Sequence, residues 1–302
     1  MTTSHSHDDI RALPIWCGDI KISPLSGGLS NEAYVVEDTP AGGAAAEKYV
    51  VRLGTDVPVH HVSRENERMA SAAAHAAGFA PELCHAGDGI LVFRFIDGKT
   101  YEIADVVANT PQIITLIKRF HTEMPQHISG PGRVFWVFHI IRDYARTLRE
   151  AGSRFCDQLD DFLSCSAACE AAQPAVNLVY GHSDLLPANF IHDGNRLWLI
   201  DYEYAAFSSP LFDLANLASN ALFSPEQDAA MLEAYFGVTP DHELMRALSA
   251  MKCASLLREA MWSMVSEHHL DAPGVDYAAY SDEILENFTK ERASHGATYG
   301  WS

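Results

Sequence analysis

The stretch Tyr180–Asn216 reads YGHSDLLPANFIHDGNRLWLIDYEYAAFSSPLFDLAN. A short apolar run precedes Asp184, and Asn189 follows five residues after this aspartate. A second apolar run, at residues 197–200, ends directly at Asp201. Short apolar runs bounded by polar turn residues are typical of buried strands. We therefore predict a hairpin of two short strands that places Asp184 and Asp201 at one end, with Asn189 on the connecting loop.

These three side chains carry the oxygen donors that Mg²⁺ prefers, namely carboxylates and amide carbonyls completed by phosphate oxygens. In kinase-type phosphoryl transfer one aspartate accepts a hydroxyl proton, while an asparagine and a second aspartate hold the metal. The order of residues therefore predicts Asp184 as the base and Asn189 and Asp201 as Mg²⁺ ligands.

The whole pattern resembles one family. H-x-D-x-x-x-x-N is followed by I-D twelve residues after the asparagine and by D-L-A-N twelve residues after that aspartate. This arrangement is similar to the choline/ethanolamine kinases, within the wider aminoglycoside-phosphotransferase group. The resemblance implies an ATP- and Mg²⁺-dependent kinase in which His182 joins the catalytic set as a brace for the loop. It also implies that Asp213 supports the loop without taking part in the chemistry.

The resemblance implies an α+β, two-lobed protein-kinase-like fold with ATP bound between the lobes. We expect an N-terminal tail at 1–19 and a nucleotide-binding lobe at 20–97, with a small antiparallel sheet and one helix. A larger, mainly helical lobe at 98–302 would carry catalysis and substrate binding. Apolar residues at helical spacing within 101–172 agree with this division.

Two segments of the smaller lobe are candidates for nucleotide binding. Arg52, on the predicted strand Lys48–Leu53, stands where the resemblance implies a cation for the ATP phosphates. Its partner would be Glu67, or alternatively Glu65, on a helix predicted from Ser63, its N-cap, to Ala77. The other segment is a glycine-rich hairpin tip, whose backbone could approach phosphates closely. Its candidate residues are Ser26, Gly27, Gly28, Ser30 and Asn31.

The acceptor site departs from the family pattern at two positions. Asn220 stands where choline kinases carry an acid, and Glu259 stands where they carry the first of two tryptophans. Trp262 matches the second tryptophan, and residues three apart share a helix face. We expect Glu259 and Trp262 to bind an amine head group, with further aromatic wall from Tyr277, Tyr280 and Phe288.

Purely structural roles remain as alternatives for the same residues. Trp262 could belong to the core, and Glu259 could pair with Arg258 or Lys252. Glu203, beside the predicted metal site, is assigned to substrate binding, either facing the acceptor or bracing the loop.

Composition limits the classes of partner. The chain has 302 residues and a net charge of −19, from 40 acidic and 21 basic side chains. This balance argues against nucleic-acid binding and is compatible with a small cationic hydroxylated substrate. We expect no membrane segment, no signal peptide and six reduced cysteines, hence a cytoplasmic protein. A homodimer is left open.

Three alternatives to an amino-alcohol kinase remain at this point. The acceptor could be an aminoglycoside, thiamine, methylthioribose or a similar compound. The chain could bind nucleotide without catalysis. It could also be a metal hydrolase, since His182, Asp184, His192 and Asp201 are able to ligate a transition metal.

Overall fold

The computed structural model describes residues 6–25, 32–42, 45–87, 89–175, 177–272 and 274–301. The chain divides into two compact units. The first, called here the sheet unit, comprises Met1–Lys99 and Ile191–Glu203. The second, the helical unit, comprises Thr100–Phe190 and Tyr204–Ser302. The predicted α+β class, with an antiparallel sheet first and helices after it, is confirmed. The functional division at 19 and 97 stays a prediction.

The sheet unit is built on a five-stranded antiparallel sheet in the order β1-β2-β3-β5-β4. Along β3, Tyr49, Val51 and Leu53 are buried, whereas Arg52 lies on the opposite, half-buried face. This is the predicted alternation, and it keeps the Arg52 guanidinium out of the apolar core. The strands are β1 Gly18–Pro24, β2 Glu32–Pro40, β3 Glu47–Leu53, β4 Leu83–Gly87 and β5 Ile90–Arg94.

Two helices accompany this sheet. The short helix α1, His7–Arg11, places Ile10 in the apolar core against Val36 and Val92, although it lies within the segment predicted as a tail. Helix α2, Arg64–Ala76, confirms the helix predicted from residue 63 to 77.

Ser63 stands at the N-cap position of α2, as predicted, but another residue supplies the capping hydrogen bond. The Ser63 side chain makes no capping hydrogen bond, and the carboxylate of Asp56 accepts the backbone N–H of Arg64 at 2.7 Å. Asp56 comes from the preceding loop, so this cap depends on tertiary structure and not on the residue next to the helix.

The helical unit contains the remaining helices and surrounds one central element, α9. This helix is buried on all sides over most of its length, because apolar and small residues occur around its whole circumference. No helix in the described ranges combines the length and apolar composition that crossing a bilayer requires. The helices are α3 Ile103–Ala108, α4 Thr110–Glu123, α5 Val137–Ala151, α6 Leu159–Ala171, α7 Pro210–Asn220, α8 Pro225–Phe236, α9 His242–His269 and α10 Tyr277–Tyr299.

The predicted hairpin around residues 180–201 is wrong in its pairing. The remaining strands are β6 Lys99–Thr100, β7 Val179–Gly181, β8 Phe190–His192, β9 Leu197–Leu199 and β10 Ala206–Ser208. β7 pairs antiparallel with β10, and β9 pairs with β8. The turn at Asp193 and Gly194 closes a local hairpin between β8 and β9, so β7 takes a later partner. Strands of three residues contain too little pattern to show this in the sequence.

Candidate functional site

The loop that follows β7 carries His182, Ser183 and Asp184, and it is held by one buried carboxylate. Asp213, in the first turn of α7, accepts the backbone N–H groups of His182 at 2.7 Å and Ser183 at 2.8 Å. Ser183 has a φ of 65°, a left-handed conformation that costs a non-glycine residue about 1–3 kcal/mol. The two hydrogen bonds to Asp213 offset this strain. The supporting role that the resemblance implied for Asp213 is therefore confirmed by its contacts.

Gly181 allows this close approach. A Cβ at residue 181 would lie 2.3 Å from the Ser208 hydroxyl and 3.2 Å from an Asp213 carboxylate oxygen. Any larger side chain would push the loop away from α7. His182 itself is fully buried, with its ring 6.2 Å from that of Phe120 on α4, and its role as a brace for the loop stays a prediction.

His121, on α4, is a residue of the site that the sequence did not reveal. Its Nε2 lies 2.9 Å from the Asp213 carboxylate and its Nδ1 lies 2.7 Å from the Tyr235 hydroxyl. Burial alone would raise the pKa of Asp213, but the hydrogen bond to His121 and the amide of His182 lower it. Asp213 therefore stays ionised. From the sequence His121 was expected to be merely packed or exposed, and the only available signal was its position on the apolar face of α4.

Asn189 and Asp184 lie together at the end of the same loop. Asn189 occupies a 3-10 turn, Pro187–Asn189, and its amide nitrogen donates to the Asp184 backbone carbonyl at 2.8 Å and carboxylate at 3.3 Å. This leaves the amide oxygen of Asn189 as an acceptor for a cation. Asn216 of the D-L-A-N motif accepts the N–H of Leu185 at 2.5 Å, so both polar residues of that motif hold the loop.

In the sheet unit, Arg52 is the centre of an ion-pair cluster. One Arg52 nitrogen lies 2.7 Å from Glu67 and 2.8 Å from Asp201, and a second lies 3.5 Å from Glu203. Glu65 pairs instead with Arg68 at the surface, at 2.6 Å. The structure therefore confirms Glu67 over Glu65 as the partner of Arg52.

Arg64 is a second member of the cluster that the sequence did not single out. It contacts Glu67 at 2.6 Å and Glu203 at 3.1 Å. The available signal was its place as the first residue of R-E-N-E at 64–67, which resembles an R-x-N-E motif of the family. The three carboxylates outnumber the two guanidinium groups, which favours a bound cation beside Asp201.

The cluster perturbs the acid–base properties of its members. Burial acts to lower the pKa of Arg52, but Asp201, Glu67 and Glu203 outweigh it and raise that pKa. Burial raises the pKa of Glu203, and Asp201 raises it further against the opposing effect of Arg52 and Arg64. The contacts of Glu203 favour the bracing role, and its assignment to substrate binding stays a prediction.

The two residues expected to bind the amine head group, Glu259 and Trp262, differ in exposure. Glu259 is held by Arg258 at 2.8 Å and by the Tyr280 hydroxyl at 3.0 Å, and its side chain is 16% exposed. Trp262 is 5% exposed, and its indole N–H donates to the Tyr204 hydroxyl at 2.9 Å. Trp262 thus has the burial of a core residue, whereas Glu259 reaches the surface.

The other candidates of the acceptor region have separate surroundings. The ring of Tyr277 lies 6.1 Å from that of Trp262. Phe288 is buried against Phe162 at a ring separation of 6.0 Å, in the core between α10 and α6. Lys252 pairs with Asp228 at 2.8 Å and not with Glu259.

Two further predictions concern the glycine-rich tip and the metal ligands. The glycine-rich tip, with Ser26, Gly27, Gly28, Ser30 and Asn31, lies outside the described residues. Among the residues that are described, no three His, Cys, Asp or Glu side chains are grouped closely enough to hold a metal ion. Asn189 and Asp201 both present hard oxygen donors, the kind that Mg²⁺ accepts.

Comparisons with known proteins agree with this geometry. A family model described as "Phosphotransferase enzyme family" matches residues 21–248. The chain is 25% identical to protein LicA of Haemophilus influenzae over 266 residues, which cover 83% of this chain and 75% of LicA. It is 24% identical to a probable choline kinase 1 of Arabidopsis thaliana over 310 residues, covering 89% of this chain and 86% of that protein.

A solved structure is similar over almost the full length. The choline/ethanolamine kinase family protein from Mesorhizobium loti aligns with a TM-score of 0.73 and 25% identity. The alignment covers 98% of this chain and 99% of that one.

Proposed function

Because this chain belongs to the phosphotransferase enzyme family, we propose that it is an ATP-dependent kinase acting on a small amino alcohol such as choline or ethanolamine. The reaction transfers the γ-phosphate to the acceptor hydroxyl. The observation that carries the proposal is the loop at 182–189, where Asp213 and Asn216 hold the backbone that presents Asp184 and Asn189.

Asp184 is the base that orients the acceptor hydroxyl and takes its proton. Its carboxylate is half-buried and accepts a hydrogen bond from Asn189. The Asp213 hydrogen bonds limit the movement of the loop, and positioning is the main source of rate in phosphoryl transfer. The catalytic role of His182 is to brace this loop from its buried position.

The residues for the nucleotide are assigned by residue type. Asn189 and Asp201 would hold Mg²⁺, which when bound would neutralise charge on the phosphate oxygens. Arg52, kept in place by Glu67, binds phosphate oxygens through its planar fork. The backbone of the tip at Ser26, Gly27, Gly28, Ser30 and Asn31 also binds phosphate.

The acceptor is a small cation that carries a hydroxyl group. Glu259 supplies a carboxylate for its ammonium group, with Trp262 as the aromatic residue on the same helix and Glu203 as a further candidate. The names of the similar proteins, choline kinase and choline/ethanolamine kinase, support this class. The net charge of −19 agrees with a cationic substrate and with the absence of nucleic-acid partners. We place the protein in the cytoplasm, with no membrane partner and a homodimer left open.

Substitution of Asp184 tests the assignment of the base. We expect Asp184→Asn to lower kcat by about 10²- to 10⁴-fold, because the hydroxyl loses its proton acceptor. ATP binding and thermal unfolding should stay close to the wild type. The matched control is Asp157→Asn, at an exposed position of the helical unit, which should keep full activity. Turnover preserved in Asp184→Asn would remove Asp184 from this role.

A panel of acceptors tests the substrate class. ATP consumption is measured with ethanolamine, its N-methylated series up to choline, an aminoglycoside, thiamine and methylthioribose. Turnover only with a compound outside the amino-alcohol series would contradict the proposed substrate. ATP binding without turnover on any acceptor would indicate a nucleotide-binding module without catalysis.

A further inference from the structure

Arg258, on α9, is a buried cation that has no role in the proposed reaction. The residue is 2% exposed, and one of its terminal nitrogens donates to Glu259 at 2.8 Å. Its Nε and its other terminal nitrogen are also buried, and neither has a hydrogen-bond partner among the described residues.

This arrangement is costly for the folded protein. A buried donor left unpaired costs about 1–3 kcal/mol, and more when the group is charged. The ring of Tyr204 lies 4.5 Å from the guanidinium and that of Phe135 lies 5.8 Å away, so cation–π attraction offsets only part of this. An apolar side chain of similar volume would pack there without the penalty. The contacts of Arg258 therefore point to a role other than stability.

Among the described residues, Arg258 donates its side-chain hydrogen bond to Glu259, an acid that is partly exposed. Glu259 accepts from Arg258 through one oxygen and from the Tyr280 hydroxyl through the other, at 3.0 Å. Burial raises the pKa of Tyr280 and the Glu259 carboxylate raises it further, so the phenol keeps the proton that it donates. Two donors on opposite oxygens fix a side chain that otherwise has three rotatable bonds. The remaining lone pairs of Glu259 can then accept from a ligand.

The negative charge of Asp184 also acts on Arg258 and Tyr280, and it adds to the raised pKa of each side chain.

We propose that Arg258 is a positioning residue for the acceptor: with Tyr280, it holds the Glu259 carboxylate in the orientation that binds the ammonium group of the amino alcohol. This inference rests on the proposed function and adds the residue pair that makes Glu259 a fixed anchor. Arg258 does not touch the acceptor and acts through Glu259.

The test separates binding of the acceptor from binding of ATP. We expect Arg258→Met and Tyr280→Phe each to raise the acceptor KM by about tenfold or more, the loss of one charge-assisted hydrogen bond. The KM for ATP should change less than about twofold. Arg246→Met is the matched control, because Arg246 lies on the same helix and pairs only at 3.5 Å with the exposed Glu243.

A double-mutant cycle distinguishes positioning from a general structural effect. In a Glu259→Gln background, Arg258→Met should add less than about twofold to the acceptor KM, since the group it positions has lost its charge. If the two effects multiply, Arg258 acts independently of Glu259 and the inference is wrong. Should Arg258→Met fail to fold, Tyr280→Phe and Arg258→Lys, each in both backgrounds, give the same comparison.

The wild-type protein separates this inference from the proposed function. Turnover of an amino alcohol by the wild type, with an unchanged acceptor KM in Arg258→Met, would overturn the inference alone. No turnover of any amino alcohol by the wild type would overturn the proposed function and the inference with it.

Discussion

At the scale of single residues, Arg52 shows how one cation can serve both stability and function. Its side chain is 14% exposed and lies beside Glu67, which is 1% exposed, and Glu203, which is 6% exposed. Charges buried to this degree are tolerated only when they are paired. The guanidinium proposed to bind phosphate therefore also neutralises acids that the fold has buried.

Removal of this cation should destabilise the protein. We expect Arg52→Met to lower the free energy of unfolding by about 3 to 5 kcal/mol, because it leaves buried carboxylates uncompensated. The measurement is urea unfolding monitored by circular dichroism. Arg68→Met is the control, since the Arg68–Glu65 pair is at the surface and should contribute less than about 1 kcal/mol. Equal effects of the two substitutions would contradict this description of the cluster.

The sequence predicted some of the ion pairs and hydrogen bonds of the site but not others. Arg52 and Glu67 were accessible because the R-x-N-E motif and the strand pattern are local features. Arg64 and His121 were not, because they act through Glu203 and Asp213, which lie far along the chain. Arg258 was named only as an alternative partner of Glu259, and its burial is not visible in the sequence. Asp213 contacts His121 across 92 positions of sequence.

At the scale of elements, α4 and α7 together determine the shape of the catalytic loop. α7 supplies Asp213 and Asn216, which bind three backbone N–H groups of the loop. α4 supplies His121, which hydrogen-bonds the same Asp213. The Asp213 carboxylate thus connects the two helices. A substitution in either helix should therefore change the position of Asp184.

His121→Leu should uncouple α4 from the loop. We expect the free energy of unfolding to fall by about 1–3 kcal/mol, since a buried carboxylate loses a donor. We also expect kcat to fall by about tenfold or more, because small displacements of a catalytic group are costly. The KM for ATP should change little. His127→Leu, at an exposed position just after α4, is the control. An unchanged kcat in a folded His121→Leu protein would limit His121 to a role in stability.

The pairing of the short strand β7 was predicted wrongly from the sequence. The positions of the apolar runs were read correctly within two or three residues, because apolar periodicity is local. The partner of β7 is chosen by packing against α7 and by the hairpin that β8 and β9 close between themselves. Three-residue strands have no pattern of their own that could specify this choice.

At the scale of the whole molecule, Asp228 on α8 gives the fold a measurable dependence on pH. Burial raises the pKa of Asp228 to about 6, although Lys252 on α9 lies 2.8 Å away and opposes the shift. A carboxylate whose pKa is higher in the folded than in the unfolded state binds more protons when folded. Its contribution to stability is therefore present below the unfolded value of 3.8 and is lost as the pH rises through about 6.

Comparison with Asp228→Asn isolates this contribution. Between pH 4 and pH 7 the wild type should lose about 2 kcal/mol of unfolding free energy relative to the variant, since one pKa unit corresponds to about 1.4 kcal/mol and the unfolded carboxyl is already partly ionised at pH 4. Above pH 7 the difference should be constant. The measurement is urea unfolding of both proteins at a series of pH values. A difference that does not vary with pH would show that Asp228 titrates normally.

The sequence by itself determined the class of fold, the spacing of the candidate catalytic residues and the family of the chain. These features depend on local periodicity and on motif spacing, which are present in the linear order of residues. The tertiary structure alone decided which strands pair and which distant side chain, His121, hydrogen-bonds Asp213. Burial and distant contacts set these outcomes, because the free energy of a charge or a hydrogen bond depends on the partners and the solvent around it.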